Sequence, residues 1–132
     1  MAGFGGAARV GDRRAKAPER TGKRSSMNRW NIPHWLEKEV VERDRHCVYC
    51  RIPFGSGTGK GSYASWEHIV NDAKIVTREN ISLCCRSCNS SKGAKLLATW
   101  LDSIYCKRRG ITSESVADIV KSALIKSSSF SH

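Results

Sequence analysis

At 132 residues the chain has room for one domain and a tail, since single cores take on the order of 100 to 150 residues, and a second catalytic domain does not fit. The formal net charge of +11, from 23 Lys and Arg against 12 Asp and Glu, favours a polyanionic partner, of which nucleic acid is the commonest for a basic domain. No apolar stretch approaches the ~18 residues a membrane span needs and the N-terminus carries no apolar signal core, so the expectation is a cytoplasmic protein with no membrane partner.

Residues 1–26 hold seven basic and two acidic side chains among Gly, Ala and Ser, and read as a disordered basic tail, too apolar-poor to offset the entropy of ordering. Residues 27–126 are the expected domain, still basic: 27–132 carry 16 basic and 10 acidic side chains. Pro33 suits the start of a short amphipathic helix through Trp35, Leu36, Val40 and Val41 that ends near Asp44. Cys47-Val48-Tyr49-Cys50 forms a tight knuckle, followed by a glycine-rich surface loop, 55–61, which lacks the ending of a phosphate-binding loop. Tyr63 to Val70 predicts a strand carrying His68 near its end, and Ile75-Val76-Thr77 a second extended piece. After the second knuckle, Cys85-Arg86-Ser87-Cys88, Asn89 is placed to cap a helix running through Leu96, Leu97, Trp100, Leu101 and Ile104 until Gly110 stops it. Thr112 or Ser113 caps a last helix with Val116, Ile119, Val120, Ala123 and Leu124 on one face, and residues 127–132 fray.

Two C-x-x-C pairs supply four thiolates, each pair gripping an ion from a single turn, which is the closed tetrahedral set of structural zinc. In a reducing compartment such pairs are metal ligands rather than disulfides; Cys84 and Cys106 do not pair in this way. Thirty-four residues separate Cys50 from Cys85, beyond the roughly 15–20 of a simple zinc ribbon, so the insert has its own purpose. Inside it lie Glu67-His68 and Asn80.

The order C-x-x-C, E-H-I-V, E-N-I-S-L, C-x-x-C-N-x-x-K-G over Cys47 to Gly93 resembles the HNH endonuclease family. The resemblance implies an α+β domain with a ββα-metal core (47–93), two zinc knuckles and flanking N- and C-terminal helices. It implies a metal-dependent DNA endonuclease in which His68 is the general base that activates water and Asn80 orients it. Asn89 and Glu67 would hold the catalytic Mg²⁺ or Mn²⁺, Glu67 standing where most members have Asp. The chemistry is consistent: phosphodiester hydrolysis needs a base with pKa near neutrality, which histidine supplies, and a cation on the phosphate. Oxygen ligands suit a hard cation, and Asp72 is a nearby substitute for Glu67. In a regular pleat, however, Glu67 and His68 point to opposite faces, so both reach one phosphate only if the strand is distorted there.

Arg86, Lys92 and Lys95 flank the second knuckle as candidate contacts to the phosphates of duplex DNA, while Trp66 and Trp100 read as core. No small-molecule cofactor is expected. Two other functions fit the same residues: a zinc-containing DNA-binding module that has lost cleavage, suggested by Glu67, and a zinc-stabilised protein-interaction module, suggested by the last amphipathic helix.

Overall fold

The computed structural model describes residues 28, 30–57 and 59–130; the basic tail expected at 1–26 lies outside them. The fold is mixed α+β, a small antiparallel hairpin with helices on both faces. In chain order come α1 (His34–Arg43), β1 (Ala64–His68), β2 (Ile81–Cys85), α2 (Arg86–Lys92), α3 (Leu97–Leu101), α4 (Ile104–Arg109) and α5 (Asp118–Phe130). No helix among the described residues is long and apolar enough to cross a membrane.

The hairpin separates two cores. Its period-2 alternation sends Ala64, Trp66, Ile81 and Leu83 to one face, where they pack on Ile32, Leu36 and Val40 of the α1 region. On the other face Cys84 joins Tyr49, Trp100, Cys106, Val116 and Val120, beneath α2 to α5. Trp100 is fully buried, its ring edge-on to Tyr49 at 4.9 Å and its indole N–H donating to Ser91 Oγ at 2.9 Å. The outer edge of β2 is covered by the first knuckle: Val48 N–H donates to the Leu83 carbonyl, and Leu83 N–H donates to the Asp44 carboxylate. Asp44 is also gripped at both oxygens by Arg43, which reaches on to the carbonyls of Ile81 and Arg78. The residues that end α1 therefore tie it to the hairpin.

Four local expectations change. Ile75–Thr77 is irregular chain between two turns instead of a strand; the partner of β1 is Ile81–Cys85. The long helix from Asn89 to Gly110 is three short ones. Gly93 at φ +50 closes α2, a backbone angle that favours glycine, and Ser103 caps α4 by accepting from Cys106 N–H. Because the chain reorients at each break, the single apolar stripe does not form, and Leu96 and Ile104 stand exposed. Asn89 caps nothing: the cap of α2 is Cys85, whose sulfur accepts from Cys88 N–H. The last helix starts at Asp118, after a turn in which Thr112 Oγ1 accepts from Glu114 and Ser115 N–H, and it continues to Phe130, into the Ser-rich end expected to fray. Its expected face is the one buried, led by Val116, Val120 and Ala123.

Candidate functional site

The four knuckle cysteines converge. The Sγ atoms of Cys47, Cys50, Cys85 and Cys88 all lie within 4.8 Å of one another, with Cys50 and Cys85 at 3.8 Å. A tetrahedral ion with zinc–sulfur bonds of ~2.3 Å places its sulfurs about 3.8 Å apart, so the set is close to ready for one ion. Cys47 and Cys50 are fixed by a turn in which Arg51, at φ +70, reverses the chain, while Cys85 ends β2 and Cys88 sits in the first turn of α2. Backbone N–H groups of Tyr49 and Cys50 donate to Cys47 Sγ, and Tyr105 Oη donates to Cys88 Sγ, contacts that favour thiolates. Four acids so close cannot all ionise without a cation. Burial pushes the Cys47 thiol up, and Cys88 is raised by the neighbouring sulfurs, Cys47 foremost. Cys50 and Cys85 are held low, chiefly by hydrogen bonding with Cys47. A divalent soft-accepting ion such as zinc resolves that conflict. Cys84, buried with its thiol raised by burial, and Cys106 stay outside the cluster.

His68 ends β1 and pairs with Ile81 of β2. The register runs unbroken from Ala64↔Cys85 to His68↔Ile81, so the pleat is regular and His68 shares the face of Ala64 and Trp66. Its Nε2 is buried and makes no hydrogen bond to any of the described residues.

Asn80 acts on the loop that follows His68. Its Oδ1 accepts from Val70 N–H at 2.7 Å, and its Nδ2 donates to the carbonyls of Val70 (3.1 Å) and Ile75 (3.0 Å). The expected amide-to-imidazole contact is absent among these bonds; the Asn80 side chain holds the backbone two residues beyond His68 instead. Asn80 is only 4 % exposed, and truncating it leaves the Val70 N–H and the carbonyls of Val70 and Ile75 without this partner. Asn80→Ala should therefore lower stability by about 1–3 kcal/mol and raise amide hydrogen exchange at Val70, while Asn80→Asp, which keeps the acceptor and loses both donors, should fall between it and wild type.

Glu67 is not placed to take a catalytic metal. Its side chain enters the core opposite His68, accepting from Tyr49 Oη at 2.6 Å and pairing with Lys92 Nζ at 2.8 Å. Lys92, expected at a phosphate, is 1 % exposed, and its ammonium also donates to the His68 carbonyl at 3.4 Å. The physical reason is common to both: on the i, i+2 face of β1 that meets α2, each charge is desolvated and the other is the partner within reach. Asp72 is no ready substitute, since its Oδ1 accepts from Lys74 N–H in a tight turn. Asn89 donates through Nδ2 to Ser65 Oγ (3.0 Å) and the Trp66 carbonyl (3.1 Å), pinning α2 to β1 and leaving Oδ1 as the atom a cation would take. Glu67 and Asn89 thus lie on the α2 side of β1, while His68 points to the α1 side.

Comparison with protein-family models, with curated proteins and with solved structures finds no match. The geometry alone has to carry the reading. Arg86 and Lys95 are exposed, as phosphate contacts require. An open cleft of about 300 Å³ lined by Arg43, Arg45, His46, Arg51 and the start of α5 holds none of the expected catalytic residues.

The buried pair makes a sharp prediction. Glu67→Gln leaves the Lys92 ammonium without a counter-charge and should cost about 3–5 kcal/mol, whereas the double variant Glu67→Gln/Lys92→Met should recover most of it. Denaturant unfolding of the two singles and the double measures the coupling; additive effects would refute the pair's role.

Proposed function

We infer that this protein is an endonuclease of the HNH type with a ββα-metal core, acting on DNA and stapled by zinc at Cys47, Cys50, Cys85 and Cys88. The observation that carries the reading is His68 itself: a half-buried imidazole at the end of the first hairpin strand, with Nε2 uncommitted among the described residues and the loop after it clamped by Asn80. A buried nitrogen left without a partner costs on the order of 1–3 kcal/mol, a cost that a general base repays when a proton arrives.

In this reading His68 Nε2 takes the proton of an attacking water, the water oxygen bonds to phosphorus, and the bond to the 3′ oxygen breaks. Mg²⁺ or Mn²⁺, when bound, neutralises charge on the phosphate and the leaving oxygen. Asn89 Oδ1 would hold the cation, and Glu67 joins it only if Lys92 releases the carboxylate. Incubating supercoiled plasmid with the full chain in Mg²⁺ and in Mn²⁺ tests the proposal; nicked or linear product is expected.

The committed Tyr49–Glu67–Lys92 network and the unbulged strand favour one other reading, a zinc-stapled module that binds DNA without cutting it. Salt-sensitive binding with no product in either metal would select it.

A further inference from the structure

Many cations among the described residues enter no ion pair, and three of them share one face. Arg43 is matched by Asp44, Arg78 by Glu39, Lys92 by Glu67 and Lys121 by Asp118, but Lys60, Arg86 and Arg109 enter no such pair. These three are exposed, and the fold draws them to one place. Ser87 is the hinge point. A 3₁₀ turn, Lys60–Ser62, lies against it on one side, close enough that a Cβ on Gly61 would stand 3.6 Å from Ser87 Cβ. From the other side α4 supplies Tyr105 Oη at 2.9 Å from Ser87 Oγ and Arg109 Nη2 at 3.3 Å.

Both guanidiniums are set over rings. Arg109 lies 4.7 Å from the Tyr105 ring centroid and Arg86 lies 5.8 Å from that of Tyr63. Stacking costs Arg little of its charge or its remaining donors while removing much of its freedom, which is the preorganisation that phosphate recognition rewards. The segments that build the face, 60–63, 85–92 and 103–110, contain no Asp or Glu, and α4 ends in Lys107-Arg108-Arg109.

We propose that Lys60, Arg86 and Arg109 form a phosphate-backbone clamp for nucleic acid, built around the second zinc knuckle and distinct from the His68 end of the hairpin. The proposal rests on the reading of DNA as the partner but on neither cleavage nor its metal. Tyr63 immediately precedes β1, whose five residues end at His68, so the ring under Arg86 stands five residue steps, about 16 Å, from His68 at a rise of ~3.3 Å per residue. That separation corresponds to about five phosphates of one strand at ~3.4 Å of helix axis each, so the clamp grips the backbone beside the position His68 addresses.

The test is duplex-DNA binding by fluorescence anisotropy across a salt series, with wild type, the clamp variant Lys60→Ala/Arg86→Ala/Arg109→Ala, and the charge-matched variant Lys38→Ala/Lys121→Ala/Lys126→Ala on α1 and α5. The clamp variant should lose about 3 from the slope of log affinity against log salt, about 0.9 for each phosphate contact, while the charge-matched variant keeps the wild-type slope. A clamp variant with the wild-type slope, or a charge-matched variant that loses as much, overturns the clamp and leaves DNA binding standing. A wild-type chain that does not bind duplex DNA overturns the nucleic-acid reading itself. If the clamp variant loses its zinc or its circular dichroism, Lys60→Ala and Arg86→Ala are read singly, each expected to remove about 1 from the slope, and an unchanged slope in both counts against the clamp.

Discussion

His68→Ala should lower metal-dependent plasmid cleavage by about 10²- to 10⁴-fold, the usual contribution of a general base, with zinc content unchanged. The stability readout makes this more than a loss-of-function test. Most truncations at a half-buried strand position destabilise, but here the removed ring takes with it a buried nitrogen that has no partner among the described residues. The lost packing and the relieved nitrogen oppose each other at about 1–3 kcal/mol, so the melting temperature should stay close to wild type even as cleavage disappears. His68→Asn, polar but unable to act as a base at neutral pH, should be equally inactive. Cleavage retained in His68→Ala would remove the imidazole from the chemistry and leave the helix-packed hairpin as a binding scaffold.

Zinc removal should have the largest effect on the molecule as a whole. Metal bound by four thiolates and absent from the unfolded chain contributes on the order of 10 kcal/mol, comparable with the entire net stability of a domain this size. Stripping with a strong chelator, or Cys88→Ser, should therefore unfold the chain rather than loosen one loop. The cysteines draw on the first knuckle, the end of β2 and the first turn of α2, so their release frees both ends of the larger core at once. Protons compete with the ion for the thiolates, so the same unfolding should appear on acidification, earlier at lower zinc concentration. Elemental analysis should find one zinc per chain in the wild type, in Cys84→Ser and in Cys106→Ser, and none in Cys88→Ser. A metal-free chain with an unchanged melting transition would refute the centre.

Much of the arrangement was legible from spacing. The C-x-x-C gaps define the two halves of the four-cysteine cluster because two intervening residues let one turn present two sulfurs, whatever surrounds them. Pro33 and Asp44 mark the first helix, and the apolar face from Val116 to Ala123 marks the last, because caps and 3.6-residue periodicity are local properties. Gly93 was a readable stop for α2, yet the apolar residues beyond it suggested one continuous stripe.

Pairing across the fold was not local and could not be read in this way. Glu67 and Lys92 stand 25 positions apart, one on β1 and one on α2, and each looked like a functional charge until packing brought them within 2.8 Å of one another out of water. Burial of an unpaired ion is so costly that the fold, not the residue type, decides which charges are available for chemistry. The same holds for Asn80, whose amide was free to face an imidazole or a backbone, and for Arg86 and Arg109, whose shared surface depends on α4 folding back against Ser87. The sequence by itself determined which residues can bind a metal or move a proton, since that is a property of side-chain chemistry and short spacing. Only the tertiary structure decided which of them are spent on holding one another in place, because that depends on long-range contacts and on the exclusion of water.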